Sequence, residues 1–146
     1  MKRLTKINAL LITFLLVNGV ANAQLSLSYH HSAVDKIGLG YNFSDRLWTE
    51  LRMYNSDLLN NFSPEVVFCY NFVKKERHEL YAGTGVTVGT FTGFVFPVGV
   101  QFYPISEFRR FSIHVDFQPI IEIEESILAI SSLGIRYRFG KKFQEK

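Results

Sequence analysis

The sequence predicts an all-β fold: an eight-stranded antiparallel up-and-down transmembrane β-barrel behind a cleaved signal peptide. Three observations lead there. Residues 1–23 have the layout of an export signal. Residues 24–146 alternate large apolar side chains with small or polar ones at period two almost throughout. The small, polar phase is rich in glycine, and no lysine falls within a run.

The signal comes first. Lys2, Arg3 and Lys6 form a positive start, and Ala9 to Val17 is apolar apart from Thr13. Ala21-Asn22-Ala23 supplies the small residues that signal peptidase requires, so the mature chain begins at Gln24. The apolar run is shorter than the ~20 residues of a spanning helix. These 23 residues hold three of the 16 basic residues and none of the 13 acidic ones, so residues 24–146 are formally neutral. A pI near 9.0 would otherwise suggest nucleic acid. Without a basic excess that reading loses its support, and no nucleic-acid partner is expected. A single cysteine, Cys69, excludes an internal disulfide framework.

Eight runs follow in order. Leu25, Leu27 and Tyr29 alternate with Ser26, Ser28 and His30. Ile37, Leu39, Tyr41 and Phe43 alternate with Gly38, Gly40 and Asn42. Leu47, Thr49, Leu51 and Met53 oppose Trp48, Glu50, Arg52 and Tyr54. Val66, Phe68, Tyr70 and Phe72 oppose Glu65, Val67, Cys69 and Asn71. The fifth run sets Leu80, Ala82, Thr84, Val86 and Val88 against Glu79, Tyr81, Gly83, Gly85, Thr87 and Gly89. The sixth sets Phe94, Phe96, Val98, Val100 and Phe102 against Val95, Pro97, Gly99, Gln101 and Tyr103. Phe111, Ile113, Val115 and Phe117 oppose Ser112, His114, Asp116 and Gln118. The last run sets Ile127, Ala129, Ser131, Leu133, Ile135, Tyr137 and Phe139 against Ser132, Gly134, Arg136 and Arg138. Short links at 34–36, 44–46, 55–61, 74–77, 90–93, 104–109 and 122–126 imply antiparallel hairpins.

Two architectures share this pattern. A soluble barrel or sandwich turns its apolar face inward. A membrane barrel turns it to lipid and fills a narrow interior with the polar face. The glycines of the polar phase suit a tight eight-stranded interior better than a solvated surface. Phe43, Phe72, Phe102, Phe111 and Phe139 fall at one end of the strands, as an interfacial aromatic girdle does. Both features favour the membrane version.

Two segments carry a resemblance. Ser132-Leu133-Gly134-Ile135-Arg136-Tyr137-Arg138-Phe139-Gly140 is similar to the closing strand of small bacterial outer-membrane barrels. Gly38 to Trp48 is similar to one of their hairpins with a tight periplasmic turn. The chain from residue 24 resembles the eight-stranded OmpA/OmpX-like superfamily, and most of all the short barrels of the Bacteroidetes. The resemblance implies residence in the cell outer membrane, contact with its lipid and both termini in the periplasm. It also implies delivery by the barrel assembly machinery, which reads an aromatic at the end of the last strand; Tyr137 and Phe139 occupy that place. The family usually ends its chain on that aromatic, whereas here Gly140 and the basic residues Lys141 and Lys142 follow.

That orientation places Arg46, Lys74, Lys75, Arg77, Arg109 and Arg110 in periplasmic links. Asp35, Asp57, Glu122, Glu124 and Glu125 fall in outer links, with Lys36 as the one base there. The interior would hold Glu50, Arg52, Glu65, Glu79, Asp116, Arg136 and Arg138, four acids against three bases. Buried charges must be paired, so a plugged, hydrogen-bonded interior is expected, with His114 in the network. Ser112, His114 and Asp116 evoke a nucleophilic triad, but same-face neighbours on one strand sit ~6.5–7 Å apart, too far for proton transfer. His30 and His31 diverge as strand neighbours and suit no shared metal. No catalytic residue, cofactor or metal site is expected. The function expected is structural or surface interaction through the outer loops, for which the sequence names no partner. A soluble exported barrel for a hydrophobic ligand and an outer-membrane lipid-modifying enzyme are the alternatives.

Overall fold

The computed structural model describes residues 24–54, 63–89 and 91–140. The expected signal segment 1–23, the whole link at 55–61, including Asp57, and the basic tail at 141–146 lie outside the described residues. Alternating β-branched and aromatic side chains favour a pleated backbone that buries one face, and no helix occurs among the described residues. The strands are β1 (Leu25–His31), β2 (Lys36–Asn42), β3 (Leu47–Tyr54), β4 (Pro64–Lys74), β5 (His78–Thr87), β6 (Gly93–Val95), β7 (Val98–Phe102), β8 (Phe111–Glu122) and β9 (Ile127–Arg138).

Each strand pairs antiparallel with the next around the ring, and β1 pairs β9, from Ser26↔Arg138 to His31↔Leu133. The sheet is therefore closed and leaves no edge. β6 and β7 both lie between β5 and β8, so they are two pieces of one barrel strand, and the barrel has eight. The sixth run was expected to be continuous. Pro97 interrupts it, because proline has no N–H to give the ladder. The break stays tied on both sides: Phe96 N–H donates to the Pro119 carbonyl (3.0 Å), and Gly83 N–H donates to the Pro97 carbonyl (2.8 Å). A bulge at Asn71/Val73 shifts the β4–β5 register.

The faces sort by the period-two pattern. Leu39, Phe68, Phe94, Phe117 and Leu133 are half or more exposed on the outside. Glu50, Arg52, Glu65 and His114 are wholly buried inside. A smaller apolar cluster of Trp48, Val67, Cys69, Tyr81, Val95 and Ile120 shares the interior. Glycine on the inner face makes room for large neighbours. Gly134 pairs with His30 on one side and His114 on the other, and the two imidazoles meet over it with ring centroids 4.4 Å apart. A Cβ there would collide with the His114 ring and the Tyr29 carbonyl.

Phe43, Phe72, Phe102 and Phe139 are exposed at the strand ends beside the turns at 43–46, 75–77 and 103–110 and beside the described C-terminal end. Phe111 is partly covered.

Candidate functional site

The chemistry of this chain is concentrated in the barrel interior. Inward projection follows from parity, and register brings the side chains together across the lumen. Toward the end carrying the 32–35 and 123–126 links, Gln118 Oε1 accepts from Lys36 Nζ and from Arg52 Nη1, both at 2.9 Å. Gln118 Nε2 donates to Glu65 (2.7 Å), and Tyr54 Oη donates to the same carboxylate (2.6 Å).

At mid-height Glu50 is the hub. It accepts from Arg52 Nε (2.6 Å), Arg136 Nη2 (2.7 Å) and His30 Nε2 (2.9 Å). Arg52 also reaches Glu65 and Asp116, each at 3.3 Å. The Arg136 guanidinium lies over the Trp48 ring, 4.3 Å from its centroid, and donates to Gln101 (2.5 Å). With Glu50 ionised, His30 donates from Nε2, so its Nδ1 is free to accept from His114 Nε2 (3.0 Å). Below this layer, Glu79 receives Arg138 (3.5 Å), Arg109 (3.0 Å) and Asn71 (3.1 Å). Tyr103 Oη accepts from Arg138 Nη1 at 2.6 Å.

Glu50, Arg52, Glu65, Asp116, Arg136 and His114 thus meet in one network, and Glu79 and Arg138 form a second group toward the turns at 43–46, 75–77 and 103–110, joined to the first through Gln101, whose Nε2 donates to Tyr103 Oη (2.7 Å). One placement needs correcting. Lys36, expected in an outer link, is the first residue of β2 and is buried in the lumen 3.8 Å from Glu65. A lysine can enter here because Gln118 and Glu65 supply acceptors that offset its desolvation. Lys36 therefore raises the interior bases from the expected three to four, matching the four acids, and the Arg109 guanidinium reaches in from the rim. His30, Gln101, Gln118, Tyr54 and Tyr103 were not singled out as network members; their strand parity was the available signal.

Ser112, His114 and Asp116 are all buried but do not form a triad. Ser112 Oγ donates to the Arg136 carbonyl (3.4 Å), His114 turns to His30, and Asp116 accepts from Arg52. Among the described residues no group of three His, Cys, Asp or Glu side chains converges on a metal position. Cys69 is a free, buried thiol. Tyr137 and Phe139, the expected assembly-signal residues, stack edge-to-face at 5.0 Å, and Phe139 N–H donates to the Leu25 carbonyl (2.8 Å).

The two ends differ in charge. The end with the turns at 43–46, 75–77 and 103–110 carries Arg46, Lys74, Lys75, Arg77, Arg109 and Arg110, together with the acids Asp45, Glu76 and Glu107. The other carries Asp35, Glu122, Glu124 and Glu125, and with Lys36 inside the barrel it has no exposed Lys or Arg among the described residues. Asp35 accepts from Tyr29 Oη (2.7 Å) and Ser32 N–H (3.1 Å) and lies 3.0 Å from His31 Nδ1. The Tyr29 hydrogen bond, more than any other cause, holds the Asp35 carboxyl below its ordinary range. No protein-family model matches the chain, and no match is found among curated proteins.

Proposed function

We propose that this chain is a non-enzymatic outer-membrane β-barrel with a plugged interior and a structural or surface-interaction role. In this reading residues 1–23 export it, the barrel assembly machinery inserts it through the Tyr137–Phe139 strand end, and outer-membrane lipid surrounds it. One observation carries the reading: aliphatic and aromatic side chains cover the outside, and paired charges fill the inside. In water this arrangement exposes apolar surface that ordinary folding would bury. In lipid the same surface is solvated, and the closed sheet pairs its backbone groups within itself and leaves no edge strand.

The interior opposes the alternatives. Its charged and amide groups are bonded to one another, which suits neither a hydrophobic ligand nor a nucleophile poised for lipid chemistry. Heat-modifiable mobility on SDS gels, together with a detergent requirement, is the expected result. Recovery of the mature chain as a soluble monomer without detergent refutes the membrane assignment. Large, stable conductance in planar bilayers refutes the plug.

A further inference from the structure

The basic rim contains a cleft of about 450 Å³ lined by Arg46, Lys74, Lys75 and Arg109 with one carboxylate, Glu76. Two of its cations, Arg46 and Lys74, are oriented by main-chain oxygens. Arg46 Nη1 donates to the Asn71 (3.1 Å) and Phe72 (3.4 Å) carbonyls, and Lys74 Nζ donates to the Asp45 carbonyl (3.2 Å). The main-chain bonds orient Arg46 without neutralising its charge, while Lys74 also feels the carboxylates of Glu79 and Asp45. Arg109 spans the cleft wall, joined to the Lys75 carbonyl (3.5 Å) and to Glu79 (3.0 Å). Leu47, Tyr70 and Phe72 are exposed on the outer face of β3 and β4, next to Arg46 and Lys74 in the chain, and Leu47 pairs directly with Tyr70.

We infer that this cleft binds the phosphate headgroup of an anionic phospholipid, with the acyl chains lying along Leu47, Tyr70 and Phe72. The inference rests on the membrane reading proposed above. Charge selects a phosphate, since clustered Lys and Arg attract anionic headgroups and Arg offers several N–H donors to phosphate oxygens. The adjoining apolar strip selects a lipid over a soluble phosphate, because it gives acyl chains a surface continuous with the headgroup site. The opposite rim, which is acidic, has no equivalent.

The test is native mass spectrometry of the purified protein in zwitterionic detergent with equal phosphatidylglycerol and phosphatidylcholine. Each cation near a headgroup is worth about fivefold in affinity. The wild type is expected to retain phosphatidylglycerol at least tenfold over phosphatidylcholine. Arg46→Gln combined with Lys74→Gln and Lys75→Gln should bring the ratio to about one while heat-modifiable mobility persists. Glu124→Gln on the opposite rim should leave it unchanged. Equal retention by the wild type, or an unchanged ratio in the triple variant, overturns the site. Displacement of the lipid by equimolar glycerol phosphate overturns the lipid assignment in favour of a soluble phosphate. A heat-modifiable barrel without lipid preference defeats this inference alone, whereas a chain that is soluble without detergent defeats the membrane reading beneath it.

Discussion

Removing the charge of Glu50 should unbalance the centre of the barrel. At this height the acids Glu50, Glu65 and Asp116 face Lys36, Arg52 and Arg136, and the groups are buried. Glu50→Gln keeps the shape but leaves one uncompensated positive charge. The carboxylate accepts three hydrogen bonds, from Arg52, Arg136 and His30, whereas an amide offers one oxygen and turns an N–H₂ toward the donors. Three bonds to a charged group sum to about 4.5–9 kcal/mol at face value. Arg52 keeps Glu65 and Asp116, and Arg136 keeps Gln101, so the smaller figure of about 3–5 kcal/mol for breaking a buried pair is the better expectation. Trp48 is the single tryptophan and touches Arg136, which makes its fluorescence a direct probe of urea unfolding in detergent or vesicles. Combining Glu50→Gln with Arg136→Met restores neutrality. The double variant should therefore lose at least about 1 kcal/mol less than the sum of the singles. A loss below about 1 kcal/mol for Glu50→Gln, or strict additivity in the cycle, would refute the idea that paired charges hold the plug.

Gly134→Ala should cost about 1–3 kcal/mol, the range for overpacking, because the new methyl meets the His114 ring and the Tyr29 carbonyl; an unchanged urea midpoint would show that the strands can part without strain. Cys69 should resist maleimide in the folded barrel and react only after unfolding; labelling of the folded protein at the unfolded rate would mean an open lumen. Asp35 should titrate below its ordinary value of 3.8, as read by its carboxyl carbon in NMR of detergent-solubilised protein. Because its folded value is depressed, its contacts with Tyr29 and Ser32 are complete above about pH 4 and are lost as pH falls through the folded value. A midpoint at or above 3.8 would place Tyr29 elsewhere.

Strand parity was legible in the residues themselves. A side chain on a strand points to the face opposite its neighbours, so placing Phe117 outside and Asp116 inside needs only the alternation around them. The run of Gly38 and Gly40 likewise marks the inner face of β2, and the short links imply the ring order. Pro97 was visible too, but its consequence, a break between β6 and β7, depended on which neighbours surrounded it.

What the sequence could not determine is who meets whom across the lumen. Glu50 lies 86 positions from Arg136, and Lys36 lies 82 from Gln118, yet each pair is bonded. Those contacts depend on the stagger between strands when the sheet closes, and on side-chain reach across a narrow bore. Lys36 shows the difference most clearly. Beside Asp35 at a link it read as a solvated base, and only closure of the barrel set Gln118 and Glu65 where they could receive it. Alternation along one strand is a local property, written residue by residue. Pairing of buried charges is a property of the closed sheet, because it needs partners that the chain supplies from its far end.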